Sequence, residues 1–247
     1  MTSRTLVSLM LVALPMTFLA AAQGAQDLDY EGMVFVNNQV RFRLKGQIRE
    51  KEGFFYKSEL YSDTRGQPVL KDDTVVRLEP LEIIRFDQVD YQTGRHNRIL
   101  RSHPGYWLGF KKNAASDLRQ QVIDEEGILI PETMTTPFLM MHLNQLLDDQ
   151  KVCFKYLLPS RFSSIAFCLK NSGIQKVADR DYYVITLKPS SLLLRSFVSP
   201  CYFFVEREPP HRLIHFKGRL SPSDAEGNAL YGSITVNYQE PPLQSNP

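Results

Sequence analysis

Val40-Arg41-Phe42-Arg43-Leu44-Lys45-Gly46-Gln47-Ile48-Arg49 is the stretch that decides the fold class of this chain. Val40, Phe42, Leu44 and Ile48 alternate with Arg41, Arg43, Lys45, Gln47 and Arg49. A period of two sends successive side chains to opposite faces of a β-strand, so this strand has one apolar face and one basic face. Gly46 falls where the apolar series calls for a side chain, which marks a bulge or a close approach by another group. Residues 30–36 form a second run, and Asn37-Asn38 between the two suits a hairpin turn.

Further strand-like runs lie at 53–61, 75–78, 81–91, 98–101, 106–111, 182–187, 202–205, 212–217 and 229–238. Turn-forming clusters separate them, among them 62–66, Thr93-Gly94 and 224–228. Asp72-Asp73 falls between two runs and reads as loop. Residues 152–156 and 165–169 flank a tight segment at 158–162. A hairpin centred between Ser160 and Arg161 sets Phe154 opposite Phe167, Tyr156 opposite Ile165 and Cys153 opposite Cys168. Directly opposed cysteines on antiparallel strands are close enough for a disulfide. The alternative is three free thiols buried as small apolar groups. An odd cysteine count leaves the state of Cys201 open.

The helical signal sits in the middle. Thr136 is placed to cap a helix whose first residue is Pro137. Phe138, Leu139, His142, Leu143, Leu146 and Leu147 follow at helical spacing, and the helix should end near Asp149. A shorter helical candidate spans 114–124, where Leu118 and Val122 are four apart. Residues 190–197 fit either a helical turn or a strand. Strands, then an apolar helix, then more strands predict a mainly β (α+β) fold: a curved antiparallel sheet or half-barrel with helices against its concave face. A wide sheet wrapped round a helix leaves an apolar cavity between them. The cavity candidates are Phe42, Leu44, Phe138, Leu139, Met141 and Leu143.

The first 22 of the 247 residues read as a secretory signal peptide: Arg4, an apolar run over 6–22 and the small residues Ala20-Ala21-Ala22. The run is short for a membrane span, which needs about 20 apolar residues. The expectation is an exported protein, periplasmic or secreted, with no stable membrane span after cleavage and one β-rich domain over 23–247. Losing Arg4 leaves 28 basic and 27 acidic residues. A charge near zero gives no whole-protein attraction to nucleic acid.

Catalytic signatures are missing from the sequence. There is no Gly-x-Ser-x-Gly, no phosphate loop and no dinucleotide fingerprint. His211 and His215 are four apart, but a strand would hold them about 13 Å apart, too far for one ion. His142 reads as a core histidine on the helix's apolar side. The expectation is therefore a non-enzyme with no cofactor and no metal. Arg41, Arg43, Lys45 and Arg49 form the candidate surface for an anionic or protein partner, or an ordinary solvated face paired with acids on a neighbouring strand.

The layout resembles the periplasmic lipoprotein-carrier (LolA-like) superfamily and related secreted proteins of Gram-negative bacteria. The segments that carry the resemblance are 127–131 (Gly-Ile-Leu-Ile-Pro), the helix at 138–147, 195–200 (Arg-Ser-Phe-Val-Ser-Pro) and 212–218 (Arg-Leu-Ile-His-Phe-Lys-Gly). The resemblance implies a curved half-barrel closed by helices, with acyl chains carried in its apolar cavity. It assigns no individual binding residue. The expected function is binding or carrying a lipid or other apolar ligand. The alternative is an envelope scaffold or accessory protein that binds a partner through the basic strand face.

Overall fold

Period-two patterning runs through most of the chain, and strands follow it. The computed structural model describes residues 27–177 and 179–239, so the expected leader at 1–22 lies outside the described residues. The first eight strands are β1 (Leu28–Val36), β2 (Gln39–Lys51), β3 (Phe54–Asp63), β4 (Pro68–Arg77), β5 (Glu82–Asp90), β6 (Arg95–Arg101), β7 (Tyr106–Lys111) and β8 (Arg119–Ile123). After them come β9 (Leu129–Ile130), a 3₁₀ turn at Glu132–Met134, and two short helices, α1 (Thr135–Met141) and α2 (Leu143–Leu147). The remainder is β10 (Val152–Leu158), β11 (Ser163–Val177), β12 (Arg180–Pro189), α3 (Leu192–Arg195), β13 (Cys201–Glu206), β14 (Leu213–Ser223) and β15 (Ala229–Tyr238).

The 15 strands of the described residues belong to one sheet, in the order β8-β7-β6-β5-β4-β3-β2-β1-β15-β14-β13-β12-β11-β10-β9. Two meandering arms spread from the antiparallel β1–β15 pair, where Tyr30 faces Tyr238. The pairing is antiparallel throughout except at β9–β10. The sheet is curved and unclosed, and its arms meet through side chains. Ser223 Oγ donates to Asp90 Oδ2 at 2.6 Å, from β14 across to β5. The guanidinium of Arg119 on the edge strand β8 lies 5.2 Å from the ring of Phe162, beyond β10. Leu129 and Leu157 from the other arm complete a buried cluster with Ile83, Phe86, Ile99 and Leu108.

The helical segment lies against the concave side. Phe138, Leu139 and Leu146 are fully buried and Leu143 nearly so. They pack on Phe154, Leu169, Ile185 and Phe203 of β10 to β13. Burying each such side chain is worth about 1.5–3 kcal/mol. The helix starts earlier than its sequence suggests. Thr136 is inside α1 and caps nothing, and Pro137 is the third helical residue. Proline is tolerated there because N–H groups of the first turn have no intrahelical partner. The helix breaks at His142, whose ring sits 4.4 Å from that of Phe138 and hydrogen-bonds Gln145.

Two other expectations change. Residues 119–123 form a strand, not a helix, because Leu118 and Val122 are both about half exposed and β8 finds its partner in β7. Asp72 and Asp73 lie within β4, not in a loop. The 152–169 hairpin takes the register read from its turn, with Cys153 opposite Cys168, Phe154 opposite Phe167 and Tyr156 opposite Ile165. A disulfide joins Cys153 to Cys168, and Cys201 is free.

Candidate functional site

The inward positions of β2 to β6 carry polar rows as well as apolar ones. One row crosses five strands: Gly46, Glu59, Asp72, Gln88 and Asn97 face one another in succession. The next row runs Ile48, Lys57, Thr74 and Phe86. These side chains share the concave face with leucines and phenylalanines because strand alternation sets direction, not polarity.

Buried polar groups must be satisfied, and most of these are. The ring of Tyr30 fills the space a Cβ at Gly46 would need, which is the close approach signalled by that glycine. From there Tyr30 Oη donates to Glu59 Oε1 at 2.6 Å. Burial, reinforced by the Glu59 charge, pushes the Tyr30 hydroxyl well above its ordinary range, so it remains a donor. Lys57 Nζ lies 3.0 Å from Glu59 Oε2 and donates to the Thr133 carbonyl at 2.8 Å. Thr74 Oγ1 and Thr133 Oγ1 share a hydrogen bond of 2.7 Å. These bonds pin the 3₁₀ turn, and so the start of α1, to the sheet. Among the described residues the exceptions are Asp72 and Nε of Arg95 on β6, and Asp72 is the more complete one. Asp72 is 1% exposed, and among the described residues neither carboxyl oxygen has a hydrogen-bond partner. Burial, with Glu59 opposite, raises its carboxyl well above the ordinary range, against a weaker opposing pull from the Gln88 side chain, which makes no hydrogen bond of good geometry to it.

A cavity of about 590 Å³ opens between this face, the start of the helical segment and β10 to β15. Its apolar wall includes Phe86, Phe110, Phe167, Phe203 and Phe216, and its polar wall Lys57, Glu59, Asn97, Glu132 and Arg219. Glu132 lies deep in the fold yet is wet, because its surface faces the cavity. Burial raises its carboxyl, against the opposing fields of Arg219 and Arg95. Phe197 borders the cavity and is 79% exposed, which sets the opening beside the α3 loop. Leu192 and Leu193 on that loop are about as exposed.

Of the six side chains expected in the cavity, Leu44 borders it. Phe42 is buried beside it in a cluster with Leu70 and Leu220. Phe138, Leu139 and Leu143 pack on the sheet instead of facing open space, since an apolar helical face this narrow is used up by the strands beneath it. Met141 points away and is 47% exposed. The helical segment meets the cavity through Glu132, Thr133, Thr135, Thr136 and Pro137. The wall residues Lys57, Glu59 and Glu132 went unrecognised in the sequence. The available signal was phase: Lys57, Glu59 and Tyr61 alternate with the outward Ser58 and Leu60 in one strand.

Arg41, Arg43 and Lys45 do lie together on the outer face of β2. Lys45 pairs with Glu31 at 3.3 Å and Arg49 with Asp29 at 2.7 Å, both acids being on β1. Among the described residues Arg41 and Arg43 have no ion pair. Among the described residues no three His, Cys, Asp or Glu side chains are grouped to hold a metal ion, and no helix is long and apolar enough to cross a membrane.

No protein-family model matches the chain, and no curated protein matches it. Two solved structures are similar in fold at low identity. One is a beta-barrel-like protein of domain of unknown function DUF1849 from Brucella abortus, with 8% identity, TM-score 0.40, and 87% of this chain and 97% of that one covered. The other is a DUF1329 family protein from Desulfovibrio piger, with 11% identity, TM-score 0.28, and 91% and 90% covered.

Proposed function

We propose that this chain is an exported binding or carrier protein that shelters an amphipathic or apolar guest, such as a lipid, between its curved sheet and its helical segment. The observation that carries the reading is the cavity of about 590 Å³, within the range of small-molecule sites. Its phenylalanine-rich wall suits an acyl chain, and each buried CH₂ contributes about 0.8 kcal/mol. The exposed Leu192, Leu193 and Phe197 beside the opening would give such a guest an apolar way in. The expected leader and the Cys153–Cys168 bridge suit an oxidising compartment such as the periplasm. The resemblance to LolA-like carriers points the same way.

The test is extraction of the purified protein with organic solvent, followed by mass spectrometry, alongside titration with an uncharged naphthylamine dye that fluoresces in apolar surroundings. Co-purified lipid or saturable dye binding supports a carrier. A lipid-free extract together with a flat dye titration rules it out. A second reading rests on Arg41 and Arg43, which have no ion pair among the described residues on the outer face: an envelope protein with an acidic surface would dock there.

A further inference from the structure

The cavity has charged walls, and half of those charges are already paired. Lys57 is paired with Glu59, and Arg95 Nη2 lies 3.2 Å from Asp90. Apart from Arg161 on the turn after β10, two charged wall groups are left without an ion pair or side-chain hydrogen bond among the described residues: Glu132 and Arg219. Neither is there by accident of a loose loop. Glu132 precedes Thr133, whose carbonyl and hydroxyl are held by the buried Lys57 and Thr74. Arg219 stands at an irregularity in β14, where the pairing with β15 slips between Arg219 and Ser223. Three consecutive residues, Arg219, Leu220 and Ser221, therefore reach the cavity, which regular alternation forbids. A bulge of this kind re-aims a side chain that the pleat would have sent outward.

Resting on the carrier reading above, we propose that the guest is an amphiphile with a zwitterionic head, its ammonium on Glu132 and its phosphate or carboxylate on Arg219. A free fatty acid would bring its carboxylate toward Glu132. A purely cationic amphiphile would meet Arg219. Only a head of both signs satisfies both walls, and charge-assisted bonds in a partly dry site are the stronger kind. The tail then lies along Phe86, Phe110 and Phe203.

The experiment is displacement of the uncharged naphthylamine dye from the full chain by three amphiphiles of equal tail length: laurate, dodecyltrimethylammonium and lauroyl lysophosphatidylethanolamine. The zwitterion should displace the dye at a concentration at least tenfold lower than either singly charged compound. E132Q should remove most of that preference and improve laurate, whereas R219Q should weaken laurate and the zwitterion alike. Circular dichroism checks that both variants fold, and if either does not, the ranking on the unmodified chain decides. Equal or better binding of laurate by the unmodified chain, or an unchanged ranking in both variants, overturns the head-group assignment while leaving the carrier reading intact. Failure of the dye to bind at all removes the carrier reading and this inference with it.

Discussion

Replacing Asp72 with Asn should make the protein more stable. Asp72 sits on β4 between Glu59 on β3 and Gln88 on β5, 1% exposed, with neither carboxyl oxygen hydrogen-bonded among the described residues. A buried polar group without partners costs about 1–3 kcal/mol. The cost here depends on pH. Burial and the Glu59 charge hold the native carboxyl well above its ordinary value of 3.8, so the native state keeps the proton longer than the unfolded state does. Stability then falls as pH rises from about 4 toward the native value. Asn has the same shape, no charge, and an amide N–H to offer Glu59. D72N should gain about 1–3 kcal/mol at pH 7, or roughly 2–12 °C in Tm for a chain of this size. It should also flatten the decline that sets in above about pH 4. Urea unfolding at several pH values measures both effects. Because Asp72 does not border the cavity, dye binding should be unchanged. A D72N variant that is less stable at pH 7, or one that keeps the full pH slope, would refute the reasoning.

Four further outcomes are expected. Reducing the Cys153–Cys168 bridge, which spans 15 residues, should cost about 3 kcal/mol by chain entropy, read as a fall in Tm with reductant; identical melting curves would contradict it. G46A puts a Cβ into the Tyr30 ring, so the Tyr30–Glu59 bond must break, at about 1–3 kcal/mol in denaturant unfolding; a cost near zero would show that the ring is free to move. F138A should cost about 3–5 kcal/mol and M141A little, since one is fully buried and the other half exposed; equal losses would place the helix wrongly. If the outer face of β2 docks an acidic protein, R41E with R43E should abolish that capture without altering Tm, whereas an unchanged set of partners would dismiss the second reading.

What could be read from the sequence is what local chemistry fixes. The hairpin at 152–169 is a case: once its turn is placed, every opposed pair follows by counting, Cys153 and Cys168 included. The alternation at 40–49 gave β2 its inner Phe42 and Leu44 and its outer arginines for the same reason. The meeting of the two arms was not legible, because Ser223 to Asp90 and Arg119 to Phe162 are contacts between segments remote in sequence. The polar interior was hidden for a different reason. A search for apolar alternation discards Leu70-Lys71-Asp72-Asp73-Thr74-Val75-Val76 at its charges, although Leu70, Asp72, Thr74 and Val76 keep strict phase and all face inward. Phase survives where hydrophobicity fails, so a strand whose inward positions turn polar for two or three residues marks where the sheet stops packing against hydrocarbon. Here those positions on β3 to β6 include Lys57, Glu59, Gln88 and Asn97, all on the cavity wall. Burying Lys57 and Glu59 is costly unless each is paired, and their pairing with one another and with Tyr30 and Thr133 meets that cost. The same bonds hold Glu132 at the cavity edge, so the network that makes a polar interior tolerable also positions a wall carboxylate that has no ion pair among the described residues.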